Sequence, residues 1–123
     1  LNKIPDSATY IGFTLDVMEH LRHARVLVIQ GGFSSLSEAV KLRIPTVIIP
    51  IANHAEQWVN GRIVEQLGFG ICASNASQAG EAVNRILADY AKYWTAAQSL
   101  NIVTNGHEIA ARYLWDWARS PTL

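Results

Sequence analysis

One run constrains this chain more than any other: Val26-Leu27-Val28-Ile29-Gln30-Gly31-Gly32-Phe33-Ser34-Ser35-Leu36-Ser37-Glu38-Ala39. Four consecutive β-prone apolar residues suit a strand covered on both faces. Gly31 and Gly32 then let the backbone turn sharply and let a ligand approach with no Cβ in the way. Ser34 and Ser35 fall where the first turn of a helix carries unpaired N–H groups, a geometry that favours an anion, usually a phosphate. The same residues have a second reading. Ser35-Leu36-Ser37-Glu38 fits a capping box, in which Glu38 only reaches back to its own helix N-terminus. The segment by itself leaves both open.

The next segment repeats the pattern. Ile44-Pro45-Thr46-Val47-Ile48-Ile49-Pro50-Ile51 reads as a second buried strand with prolines at its ends, where they are tolerated. A polar loop, Asn53-His54-Ala55-Glu56-Gln57, runs into a helix through Asn60 and Leu67. Gly68 closes that helix, and Gly70-Ile71 opens another strand that takes in Cys72. Repeated strand–loop–helix units of this length predict a parallel sheet with flanking helices, an α/β fold. Ligands of such sheets bind beyond the carboxyl ends of the strands. Both polar clusters, Gln30 to Ser35 and Asn53 to Gln57, fall at that end.

The flanks are less regular. Ala8 to Ile11 reads as a short strand and Asp16 to His23 as a helix. Ser77 to Tyr90 carries Ala79, Ala82, Val83, Ile86 and Leu87 at helical spacing. Asn105-Gly106 breaks the chain before a last helix, Glu108 to Arg119. Tyr113, Leu114, Trp115 and Trp117 make that helix rich in aromatic residues. It either packs on the domain's own sheet or docks onto another surface; a membrane is the weaker option, since only Arg112 and Arg119 are basic there.

Composition excludes several classes. Half of the 123 residues are apolar and 16% are charged, which suits one compact domain with a core of its own. Ten basic residues balance ten acidic ones, so the totals do not point to a nucleic-acid partner. The single Cys72 forms no intrachain disulfide, which points to a reducing, cytoplasmic compartment. No apolar run approaches the ~20 residues of a membrane span. Asn75-Ala76-Ser77 is a formal glycosylation sequon of little weight. His20, His23, His54 and His107 have no metal-ligand partner set, and no Asp-x-Asp holds a diphosphate through a metal. No Ser-His-Asp set can be chosen.

Gly31-Gly32-Phe33-Ser34-Ser35-Leu36-Ser37-Glu38-Ala39, then Ile44-Pro45, Ile49-Pro50, Glu56-Gln57, Asn60 and Leu67-Gly68, resembles the C-terminal, donor-binding domain of GT-B glycosyltransferases. It resembles in particular the group containing the lipid II-forming N-acetylglucosaminyltransferase and, more distantly, the UDP-glycosyltransferases. The likeness runs roughly from Ala8 to Ala73. It implies a Rossmann-like sheet forming the incomplete C-terminal half of a GT-B fold. It also implies that Gln30, Gly31, Gly32, Phe33, Ser34 and Ser35 hold the donor diphosphate and that Glu38 accepts from the ribose hydroxyls. By the same likeness, Asn53, His54, Glu56 and Gln57 meet the donor sugar, and the backbone at Phe13 and Thr14 meets the uracil edge. Many relatives carry His or Arg where this chain has the neutral Gln30. No metal and no cofactor is implied.

The resembled domain has two more βα units near the start, whose strands would lie between the Ala8 strand and the Val26 strand. Their absence leaves unpaired edges. This predicts a fragment, a partly ordered chain, or a protein whose acceptor-binding N-terminal half is a separate polypeptide, with any membrane contact made through that half. Three functions are carried forward. The first is the UDP-sugar-binding half of an inverting hexosyltransferase, with UDP-GlcNAc or a related UDP-hexose as donor and the general base on the absent half. The second is a nucleotide-sugar epimerase of the same fold. The third is a non-catalytic sugar-nucleotide-binding module, which Gln30 supports.

Overall fold

The computed structural model describes residues 6–102 and 105–120. Three short strands, β1 (Leu27–Ile29), β2 (Thr46–Ile48) and β3 (Gly70–Cys72), form one parallel sheet in the order β1-β2-β3. Leu27 stands beside Thr46 and Thr46 beside Gly70, and the register holds to Ile29, Ile48 and Cys72. Pro45 and Pro50 flank β2 just outside the ladder, where a missing N–H costs nothing. Helices α2 (Phe33–Leu42) and α3 (Ala55–Gln66) carry the chain from β1 to β2 and from β2 to β3. A short α1 (Val17–Leu21) precedes the sheet; α4 (Ala76–Ala88), α5 (Tyr90–Gln98) and α6 (Gly106–Arg119) follow it. The architecture is α/β, a Rossmann-like parallel sheet with helices on both faces.

Strand alternation divides the core. Thr46 and Ile48 point to one face of β2 and Val47 to the other. Val47 joins Ala73, Ala79, Ala82, Ile86 and Tyr93 under α4 and α5. Ile48 joins Val64, Phe69, Ala97 and Leu100, with Ile29, Leu36 and Val40 packed against them. A smaller cluster of Leu27, Ala39 and Ile44 seats α2 and the end of α1. Phe69, Ile48, Ile86, Val47 and Val64 are fully buried, and each such side chain contributes about 1.5–3 kcal/mol. Arg43 ends α2 in the left-handed region, at φ 55°. Its guanidinium donates to the Gln98 carbonyl, and Gln98 Nε2 donates back to the Arg43 carbonyl, tying α5 to α2.

Three sequence expectations change, and one alternative left open is narrowed. Ala8 to Ile11 forms no strand; all four residues are exposed. A strand needs a hydrogen-bonding neighbour, and among the described residues none lies beside the outer edge of β1. β1 is not covered on both faces, since Val28 is 50% exposed. Helix α4 packs chiefly on β2 and β3. The helix expected over Ser77 to Tyr90 ends at Ala88, and a further helix, α5, begins at Tyr90 after the break at Asp89. The last helix does not pack on its own sheet, because no residue of α6 is buried.

Candidate functional site at the strand ends

All three strands run the same way, so α2, α3 and α4 begin at one edge of the sheet. Their N-termini differ. At α4 the Asn75 side chain accepts from Gln78 N at 3.0 Å, which satisfies one orphan amide. At α3 no side chain caps the helix, but Glu56 places a negative charge in the first turn. At α2 the N-cap is Gly32, with no side-chain bond and no acid in the first turn. The first backbone bond of α2 runs from Leu36 N to the Gly32 carbonyl, 3.0 Å. The amides of Phe33, Ser34 and Ser35 therefore have no partner within the helix. With the helix dipole behind them, they offer the least obstructed anion-binding end of the three.

The turn before α2 depends on its two glycines for different reasons. Gly31 sits at φ +86°, and a Cβ there would meet Ile48 Cγ2 at 2.7 Å and the Gln57 carbonyl oxygen at 3.3 Å. Only glycine fits that position. Gly32 has an ordinary φ of −62°, and a Cβ built on it meets nothing within 4 Å. The space beside its Cα is open. Asn60, one helix away, fixes the turn by donating from Nδ2 to the Gly31 carbonyl at 2.8 Å. The sequence marks Asn60 as a motif position but not for this contact, which joins residues far apart in the chain.

The two polar clusters meet at Gly31, because the Gln57 backbone packs against it. Gln30, Phe33, Ser34 and Ser35 are exposed around this point, as are Asn53, His54 and Glu56. Asn53 adopts φ 63°, a left-handed turn that asparagine tolerates. Gln57 is turned inward, 6% exposed, and its Oε1 accepts from Ile51 N at 2.8 Å. Its carbonyl group is thus committed to holding the Ile51–Gln57 loop closed. Phe13 is 90% exposed. Thr14 Oγ1 accepts from Asp16 N at 3.1 Å, and Asp16 in turn caps α1 through Glu19 N. Among the described residues no hydrogen bond joins Phe13 or Thr14 to the Gly31–Ser35 turn.

Glu38 lies in the second turn of α2, because the helix starts at Phe33 rather than at Ser35. The capping-box reading fails on that point, since the orphan amides lie behind it and none bonds to its carboxylate among the described residues. Ser37 is used locally and donates to the Phe33 carbonyl at 2.7 Å. Half-buried Glu38 instead lines a cavity of about 760 Å³ bounded by α2, α3, Met18 of α1 and the start of α6, with Phe33, Leu36, Asn60 and His107 among its walls. Among the described residues no three His, Cys, Asp or Glu side chains stand together as metal ligands. At the carboxyl end of β3, burial first and the Glu65 carboxylate second push the Cys72 thiol up, against a smaller opposing effect of Arg62.

The parallel sheet places the free N-terminus of α2, behind the diglycine turn, at the strand ends, the edge at which α/β sheets of this kind generally take their ligands. The chain belongs to Glycosyl transferase family 1, whose family model matches residues 8–90. It is similar to an uncharacterized glycosyltransferase of Methanopyrus kandleri, 38% identical over 56 residues, which is 46% of this chain and 16% of the relative. An uncharacterized glycosyltransferase of Methanosarcina mazei is 26% identical over 69 residues, covering 56% of this chain and 18% of the relative. One of Methanosarcina acetivorans is 27% identical over 70 residues, covering 57% and 18%. The matched chain spans less than a fifth of the length of these curated relatives.

Proposed function

We propose that this chain is the donor-binding part of a glycosyltransferase and takes a nucleoside-diphosphate sugar, UDP-GlcNAc or a related UDP-hexose. The observation that carries the proposal is the uncapped, acid-free N-terminus of α2 behind Gly31 and Gly32, in a chain of a glycosyltransferase family. The amides of Phe33, Ser34 and Ser35, with the two serine hydroxyls, receive the diphosphate. Glu38 takes the ribose hydroxyls from the side of the cavity. Asn53, His54 and Glu56 stand on the α3 side, where the sugar would lie. Phe13 and Thr14 are assigned to the base through family resemblance.

In transfer, the acceptor oxygen bonds to the anomeric carbon while the bond from that carbon to the phosphate oxygen breaks. UDP leaves with the electron pair. The α2 amides offset the negative charge that grows on it, and they do so best because they are already oriented. The acceptor's proton must pass to a base within hydrogen-bond reach of the acceptor. His54 is exposed at the N-cap of α3. The proposal places the base on an acceptor-binding part outside these residues, so the chain alone binds donor and releases no UDP from it.

Calorimetric titration of UDP into the chain and into Glu38→Gln tests this reading. The substitution should weaken binding by roughly 1–3 kcal/mol, as for a charge-assisted hydrogen bond, and barely change thermal stability. Equal affinity for both proteins would remove Glu38 from the site. Absence of heat from a chain shown by circular dichroism to be folded would remove the donor itself.

A further inference from the structure

The peptide unit between Gly31 and Gly32 has a glycine on each side, so no Cβ opposes its rotation. Something else must set which way its carbonyl points. Asn60 Nδ2 does so, donating to that carbonyl at 2.8 Å. Among the described residues no other hydrogen bond reaches this oxygen, and none leaves the Gly32 N–H. A trans peptide unit is planar, and its N–H points opposite to its C=O. With the oxygen drawn toward α3, the Gly32 N–H points away from α3. Turned over, the same unit would present its oxygen there instead.

Helix α3 is seated to hold this bond. Gly61 follows Asn60, and a Cβ on it would meet Cys72 Sγ at 2.5 Å and Ile48 Cγ2 at 3.5 Å. Glycine therefore lets the helix lie close on the sheet. Ile48 Cγ2 is also the atom that a Cβ on Gly31 would meet. Turn and helix thus close on one buried side chain, and Val64, one turn further along α3, is fully buried in the same cluster. Asn60 is itself half-buried, and it reaches the turn from a packed helix rather than from a loop.

We propose that Asn60 is a positioning residue for the diphosphate. It locks the Gly31–Gly32 peptide unit so that the Gly32 N–H, and not the Gly31 carbonyl, joins the amides of Phe33, Ser34 and Ser35 in facing the anion. Asn60 acts through the backbone and does not touch the ligand. Released, the unit turns between two glycines, and part of the time it sets a carbonyl oxygen against the phosphate oxygens. The inference rests on the donor site proposed above.

Calorimetric titration of UDP and of UDP-GlcNAc into the parent chain, Asn60→Ala and Asn60→Asp tests it, with circular dichroism showing that each protein is folded. Asn60→Ala should bind both ligands about tenfold or more weakly, and by the same factor, because the sugar plays no part. Asn60→Asp keeps the shape of asparagine but has no donor while ionised. Its affinity relative to the parent should be low at neutral pH and should rise as the pH falls and the protonated carboxyl donates again. In the parent, followed by amide NMR, Gly32 should shift together with Phe33 to Ser35 when UDP is added, a readout that needs no variant. Equal affinity of the parent and Asn60→Ala for UDP overturns the proposal. So does a loss confined to UDP-GlcNAc, which would set Asn60 against the sugar and leave the donor site standing. An Asn60→Asp ratio that ignores pH, or a Gly32 amide that stays still while Phe33 to Ser35 move, overturns it too. A folded parent that binds neither ligand overturns the donor reading and this proposal with it.

Discussion

Replacing Gly31 and Gly32 one at a time by alanine should separate folding from binding at two adjacent residues. At position 31 the new Cβ would lie 2.7 Å from Ile48 Cγ2 and 3.3 Å from the Gln57 carbonyl. Ile48 is fully buried in the sheet core and has nowhere to move. Overpacking of this kind costs about 1–3 kcal/mol. The backbone adds a second cost, because alanine at φ +86° is less stable than glycine by about 1 kcal/mol. Gly31→Ala should therefore lose about 2–4 kcal/mol, a fall in Tm of roughly 10 °C for a domain of this size. At position 32 the φ is ordinary and the space open, so only the N-cap preference is lost, below about 1 kcal/mol. The Gly32→Ala methyl group nevertheless fills the open space beside the turn, and UDP affinity should fall several-fold in a protein that still melts near the parent temperature. Thermal melts and UDP titrations on the three proteins decide it. A Gly31→Ala variant as stable as the parent would refute the steric account, and unchanged UDP binding by Gly32→Ala would refute the role given to that open space.

Three other variants test neighbouring parts of the argument. Asn60→Ala should lose about 1 kcal/mol or more by leaving the Gly31 carbonyl without its donor; Asn60→Asp should lose more, since a carboxylate then faces that carbonyl, and urea unfolding reads both. Gln30→Arg, at an exposed position beside the proposed diphosphate site, should tighten UDP binding about two- to fivefold, with the gain shrinking as salt is added. For Cys72 the raised pKa means less thiolate at neutral pH and slow reaction with a disulfide reagent. Glu65→Gln removes a charge that disfavours the thiolate, so the midpoint of the rate against pH should move down; an upward move would contradict the assignment of causes.

The elements around β2 were legible because their signals are local. A continuous apolar run between prolines, a diglycine turn and a closing Gly68 each declare themselves within a few residues. The β1–α2 boundary was legible for the same reason, and it places the free amides of Phe33 to Ser35. Contacts across the sheet were not legible. The Asn60 bond to Gly31 and the inward turn of Gln57 onto Ile51 depend on how α3 settles against the turn. The helix start removed the capping box: the N-cap is Gly32, three residues earlier than the Ser35 that the serine pattern implies. Ala8 to Ile11 has strand-like residues but no neighbour to pair with, so local propensity did not decide the outcome. Helix α5 was missed because Asp89 interrupts one apolar pattern and Tyr90 starts another.

The central claim is that a nucleotide diphosphate docks on the N-terminus of α2. Titration of the isotopically labelled chain with UDP, followed by amide NMR, tests it most directly. The account predicts that the amides of Gly31 to Ser35 shift first and saturate together, with Asn60 and Glu38 responding and the Asn75-capped start of α4 silent. Shifts confined to the starts of α3 or α4, or to α6, with Gly31 to Ser35 unmoved, would contradict it.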